Sequence, residues 1–280
     1  MILLAGRLTG DYWFGAFVIA QFFTVGSVVM FQLVAEQYME SSEALCATLL
    51  MATFPFVSVF TTLSYSEPLF LFSTLSAWFL YKKGRILSSS FMAGIASVTR
   101  IYGFLIVLPV LIGLVNSKRY RRLFYILIPV GFLGSWLLYC YVSTGDWFVS
   151  WTDEKFWQMG GVGDGIKILQ AVSQHGIQGL INCCAGLDPT IFWSISLFIV
   201  LVALTWRLDR PLWAYAFAVS GLLVFTTTYY ISLLRYLAFI FPIWLSIRVK
   251  NPWIVAVSII ILVPMIIIMW LYTIAVTFVG

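Results

Sequence analysis

Apolar runs of helical length follow one another from about residue 11 to about residue 274. No polar stretch between them is long enough to form a separate soluble domain. A backbone in lipid must pair its polar groups within its own segment, so each run should be a helix. The spacing predicts helices at about 11–35, 44–63, 68–81, 86–99, 101–115, 123–143, 190–206, 211–230, 236–248 and 252–274. Composition agrees: 62% of the residues are hydrophobic and 10% charged. A soluble domain is roughly 45–50% apolar and about 25% charged. The mean hydropathy is +1.00. The fold class expected is all-α, a polytopic transmembrane bundle of about 9–10 helices spanning residues 1–280 as one domain. One outer loop, at about 144–189, should contain short interfacial helices.

The basic residues are clustered. "YKKGR" holds Lys82, Lys83 and Arg85; "SKRYRR" holds Lys118, Arg119, Arg121 and Arg122; "RLDR" holds Arg207 and Arg210; "RVK" holds Arg248 and Lys250. These are 11 of the 16 Lys and Arg residues, all in short loops. Threading ten helices puts the four loops on one side, and the positive-inside rule makes that side cytoplasmic. The net charge of +5 therefore reads as membrane topology rather than as a nucleic-acid partner.

The opposite side carries Asp11, Glu67 in "SYSEP", the 144–189 loop and Arg235 in "SLLRY". Arg100 lies between runs of only 14 and 15 residues. At 1.5 Å per residue each is near about 21–23 Å, short of a roughly 30 Å hydrocarbon core. The pair is either two short tilted helices or a re-entrant hairpin.

Charges at membrane level are costly and tend to be paired or functional. Ser66 is an N-cap candidate, Glu67 falls in the first turn, and Pro68 is tolerated there. A capped carboxylate is also a positioned one, so cap and site readings are compatible. Arg100 has no acid near it in sequence. Arg235 suits either an interfacial snorkelling residue beside aromatic anchors or an anion contact. Arginine matches the geometry of phosphate.

In the 144–189 loop, Asp146, Asp153, Glu154 and Asp164 lie among Trp147, Trp151, Phe156 and Trp157. An amphipathic interfacial helix accounts for this pattern. Acids beside tryptophans also suit sugar binding. "GGVGDG" lacks a preceding strand and a following GK[ST], so it reads as a turn. His175 is the only histidine, which excludes a His-based metal cluster, and no CxxC spacing exists. No metal or cofactor is expected. Cys46 and Cys140 read as small core residues, and a disulfide between the neighbours Cys183 and Cys184 would be strained.

Four segments occur in a recognisable order: "TFPFVSVFTTLSYSEPLFLFSTLSAWFLYKKGR", "SSSFMAGIASVTRIYGFLIVLPVL", "YVSTGDWFVSWTDEKFWQ" and "LLRYLAFIFPIW". Together they resemble the PIG-V-type mannosyltransferases, the family of GPI mannosyltransferase 2, within the polytopic GT-C glycosyltransferases. The matching positions are Pro55, Tyr65, Ser66, Glu67, Phe70, Arg100, Gly103, Gly145, Asp146, Trp157, Arg235, Tyr236, Phe241 and Pro242. The resemblance covers about residues 10–245.

The resemblance implies transfer of mannose or a related hexose from a polyprenyl-phosphate sugar donor to a lipid-linked or protein-linked acceptor. A carboxylate takes the acceptor hydroxyl proton, and cations stabilise the departing phosphate. Arg100 and Arg235 are the candidates for the phosphate. Glu67 and Asp146 would support the reaction by orienting substrate or holding the arginines. Tyr65, Trp147, Glu154, Trp157 and Tyr236 are the candidates for the sugar. The family carries its acidic Trp-Asp-type motif in a first outer loop after an initial helix. "MILLAGRLTG" looks like the tail of an earlier helix, so the expectation is that this segment lies upstream of Met1 or comes from a partner chain. The chain would reside in the plasma membrane of a prokaryote or the endoplasmic reticulum membrane of a eukaryote. Other readings are a transporter or flippase of lipid-linked sugars, and a non-catalytic subunit.

Overall fold

The computed structural model describes residues 10–63, 65–149, 170, 173–176, 178, 189–226 and 230–279. These residues are helical or turn, with no strand among them. The first helices are α1 (Tyr12–Ala35), α2 (Ser41–Thr53), α3 (Pro55–Thr62), α4 (Glu67–Lys82) and α5 (Ile86–Thr99). Two 3-10 stretches, Ile101–Ile106 and Tyr120–Ile126, lead into α6 (Val107–Asn116) and α7 (Leu127–Thr144). Then come α8 (Pro189–Thr205), α9 (Arg210–Thr226), α10 (Tyr230–Ala238), α11 (Phe241–Leu245) and α12 (Pro252–Val279). The segment expected to hold interfacial helices, with Trp151, Glu154 and Trp157, lies almost wholly outside the described residues.

Most apolar runs become helices close to their expected bounds, but two do not stay whole. The run 44–63 divides into α2 and α3, bent by 65° at Phe54. Pro55 has no N–H to donate and forces the preceding residue into extended backbone, and Phe54 has φ −65° and ψ 130°. The run 236–248 is replaced by α10, which starts earlier, and by α11, with Ile240 as the hinge and Pro242 in the first turn of the new helix. This second break is fully buried: Phe239, Ile240, Phe241 and Ile243 have no exposed surface. The indole N–H of Trp244 donates to the carbonyl of Ala238 at 2.7 Å, satisfying an acceptor that the break releases. Trp244 also meets Phe54 edge-on at 5.0 Å, so the two proline breaks pack against each other.

As a result, among the described residues three helices are long and apolar enough to cross a membrane, Tyr12–Ala35, Tyr120–Thr144 and Pro252–Leu271, or four with the bent pair α2–α3. The remaining apolar helices are shorter than a bilayer core demands. The breaks at Phe54 and Ile240 explain why two continuous apolar runs in the sequence give short helices in the fold, while the break at Arg100 falls where the sequence places it.

α4 is the central element, packed between α1 and α5. Phe70, Leu71, Leu75 and Trp78 on it are at most 1% exposed. α1 carries a polar stripe towards this centre. The Gln21 amide donates to the carbonyl of Thr62 at 3.2 Å, the Thr24 hydroxyl to that of Thr61 at 2.8 Å, and the Ser27 hydroxyl to that of Pro68 at 3.1 Å. These bonds fasten the end of α3 and the start of α4, which carry Glu67 between them. α12, by contrast, exposes Trp253, Ile260, Ile268 and Leu271, each at 60% or more.

The basic loops converge on one end of the bundle. Lys82 pairs with Asp209 at 3.7 Å, and Lys250 with Glu43 at 3.5 Å. Arg248 donates to the carbonyl of Tyr38 at 3.2 Å, and the Tyr38 hydroxyl donates to Asp209 at 3.1 Å. Ser117 and Arg119 face the same cavity as Lys82 and Asp209. The helices therefore place Glu67, Arg100 and Arg235 away from these loops.

Candidate functional site

Three helix ends supply the site. Glu67 is the first residue of α4, Arg100 terminates α5, and Arg235 is in the last turn of α10. Each charge sits at the helix end whose dipole favours it, an effect of about 0.3–1 kcal/mol apiece. Ser66 occupies the N-cap position of α4 but makes no side-chain cap bond. The hydroxyl cap expected from the sequence does not form, and the Glu67 carboxylate in the first turn faces the helix dipole without hydrogen-bonding to it.

Arg100 Nη2 and Arg235 Nε both lie 2.7 Å from Glu67 Oε1. Glu67 has no exposed side-chain surface, and the two arginines expose 13% and 15% of theirs. Neither approach is aligned as an N–H···O hydrogen bond, so the contact is an ion pair defined by proximity. Glu67 Oε2 and Arg100 Nε are buried without hydrogen-bond partners. One carboxylate against two guanidiniums leaves a net charge of +1. Removing one partner of a buried ion pair generally costs about 3–5 kcal/mol. Among the described residues the second cation has no carboxylate of its own.

Aromatic rings close around the cations. The Arg235 guanidinium lies 4.3 Å from the Phe60 ring centre, 4.9 Å from Tyr65 and 4.9 Å from Tyr236. Arg100 lies 4.7 Å from Tyr236 and 5.8 Å from Tyr102. Tyr236 therefore touches both arginines, and cation–π attraction of about 0.5–2 kcal/mol holds each guanidinium without neutralising it. Tyr65 remains 43% exposed at the edge of the cluster.

The turn that presents Arg100 depends on a small residue. Arg100 has extended backbone, φ −149° and ψ 135°, and its carbonyl accepts the Gly103 N–H at 2.7 Å. A Cβ at Gly103 would collide with the carbonyl of Ala96. Phe70 packs edge-on to Tyr102 at 5.0 Å beneath the same turn. Of the residues marked by resemblance, Pro55, Phe70, Gly103, Phe241 and Pro242 thus shape the backbone and packing around the charged cluster.

The structure unites Glu67, Arg100, Arg235, Tyr65 and Tyr236. Asp146 is engaged at the end of α7, where Gly145 turns the chain with φ 76° and the Asp146 carboxylate accepts the Phe148 N–H at 2.8 Å. Trp147 stacks on Tyr141 at 4.6 Å. Glu154 and Trp157 lie outside the described residues. Asp11 is a helix cap, accepting the Trp13 N–H at 2.8 Å. Phe60 and Tyr102 were missed as site residues. Phe60 looks like any member of its apolar run, while Tyr102 carried a signal in lying two residues after the isolated Arg100.

Among the described residues no group of His, Cys, Asp and Glu could hold a metal ion. Cys46 and Cys140 are buried thiols, as the sequence suggests. Fold and site together define an all-helical protein with helices apolar and long enough for a membrane and a buried, net-cationic ion cluster walled by aromatic rings. Comparison with family models, with curated proteins and with solved structures returns no match.

Proposed function

We propose that the chain is a polytopic membrane glycosyltransferase of GT-C type. It transfers mannose or a related hexose from a polyprenyl-phosphate donor to a lipid-linked or protein-linked acceptor on the non-cytoplasmic face. The observation that carries this reading is the convergence of Arg100 and Arg235 on one oxygen of buried Glu67. A site of net charge +1 favours one added negative charge, such as that of a phosphodiester donor. As the sugar leaves, the phosphate gains a further charge, which preorganised guanidiniums stabilise most. Tyr65, 43% exposed beside Arg235, offers aromatic surface to a sugar next to the cations, and Tyr236 holds both guanidiniums in place. Glu67, wholly buried and shared by two arginines, acts as their positioning residue, and the proton acceptor is a different carboxylate.

A transporter of lipid-linked sugars is the second reading, and the two packed helix breaks at Pro55 and Pro242 favour it. Discontinuous helices that meet inside a bundle recur at transporter sites. The readings separate in membranes containing the full-length gene product, supplied with polyprenyl-phosphate-mannose and lipid acceptors. Transfer that falls in Arg100→Ala and Glu67→Gln supports the enzyme. Undiminished transfer in both variants removes these residues from the mechanism. Donor translocation without transfer selects the second reading.

A further inference from the structure

At the opposite end of the bundle a cavity of about 320 Å³ opens between the ends of α4 and α6 and the start of α9. Lys82, Arg119 and Asp209 bring two positive charges and one negative charge to its wall, and Trp78, Tyr81 and Ser117 add rings and hydroxyls. Asp209 is 14% exposed and Lys82 37%.

Asp209 is tightly held. It accepts the Tyr38 hydroxyl at 3.1 Å, and Tyr38 in turn accepts the Trp78 indole N–H at 3.0 Å. Burial, and then the charge of Asp209, push the Tyr38 phenol well above its ordinary range, so it stays a donor. The Lys82 ammonium is 5.3 Å from the Tyr38 ring centre and 5.5 Å from that of Trp78, but 3.7 Å from the carboxylate. This is a loose ion pair, beyond hydrogen-bond distance. Arg119 has no carboxylate partner within ion-pair distance among the described residues.

We infer that this cavity binds the phosphate of an anionic membrane phospholipid, with Lys82 and Arg119 as its ligands and Asp209 as the competitor for Lys82. The inference rests on the membrane setting proposed above, but not on glycosyl transfer. Basic pockets between helices at the cytoplasmic surface are suited to phospholipid headgroups. The lipid source is favoured by the residues that flank Ser117 and Arg119 in the chain: Val115 is 41% exposed, Tyr120 59% and Phe124 72%, apolar surface for acyl chains. A soluble phosphate compound would have no use for it.

Native mass spectrometry of the detergent-purified full chain tests this, with dioleoyl phosphatidylglycerol, dioleoyl phosphatidylcholine and inorganic phosphate as separate probes. Phosphatidylglycerol should be retained in preference to phosphatidylcholine. Lys82→Ala and Arg119→Ala should each weaken retention about fivefold. Lys83→Ala and Lys250→Ala, which change charge equally outside the cavity, should not. Asp209→Asn keeps an acceptor for Tyr38 and releases Lys82, so it should strengthen retention. A purely structural role for the pair predicts the opposite sign. Equal loss in the Lys83 and Lys250 variants, weaker binding in Asp209→Asn, or full competition by millimolar inorganic phosphate would each overturn the assignment.

Discussion

Arg235, in the last turn of α10, places Nε 2.7 Å from Oε1 of Glu67 at the start of α4. The contact joins the two halves of the chain at a carboxylate that solvent does not reach. Because Arg100 approaches the same oxygen, a change at any one of the three charges should be felt by the other two.

Glu67→Gln should destabilise the protein by about 3–5 kcal/mol, since it removes the one buried carboxylate that two largely buried guanidiniums share. Pairing it with Arg235→Met should cost less than the sum of the single changes, by about 0.5–3 kcal/mol. Denaturant unfolding of the four proteins of the cycle in detergent measures this. Additive losses would show that the pair is not coupled.

Gly103→Ala should act on Arg100 from a distance. The new methyl group meets the Ala96 carbonyl and displaces the turn, at about 1–3 kcal/mol. A melting temperature equal to that of the unaltered protein would contradict the tight turn.

Trp244→Phe tests the buried break between α10 and α11. It keeps most of the ring but leaves the Ala238 carbonyl without its donor, a loss of about 1–3 kcal/mol. Amide exchange should also rise around residues 238–241. An unchanged exchange pattern would show that the indole bond does not support the break.

Tyr236→Leu should loosen both arginines, because its ring is a wall they share. In the transfer assay it should reduce kcat/KM more than Trp147→Leu does, since Trp147 stacks on Tyr141 at the end of α7. A larger effect at Trp147 would move the sugar site towards that end.

Much of this arrangement is legible in the residues. Apolar runs mark the helices because lipid-compatible backbone has few options. Isolated charges opposite the basic loops single out Glu67, Arg100 and Arg235. Pro55 and Pro242 announce helix breaks, yet the apolar runs continue through them, so periodicity reads each as one long helix. Phe60 joins the cluster only through the bend that Pro55 creates. The pairing of Lys82 with Asp209 depends on helices far apart in the chain, and no local pattern foretells it.

The most direct test of the phosphate site is equilibrium binding of a polyprenyl phosphate to the full-length protein in nanodiscs, with the matching polyprenol as neutral control. Saturable binding of the phosphate alone is the predicted result, weakened at least about tenfold, some 1.4 kcal/mol, in both Arg100→Ala and Arg235→Ala. Equal affinity for phosphate and alcohol, or affinity unchanged in both variants, would contradict the account.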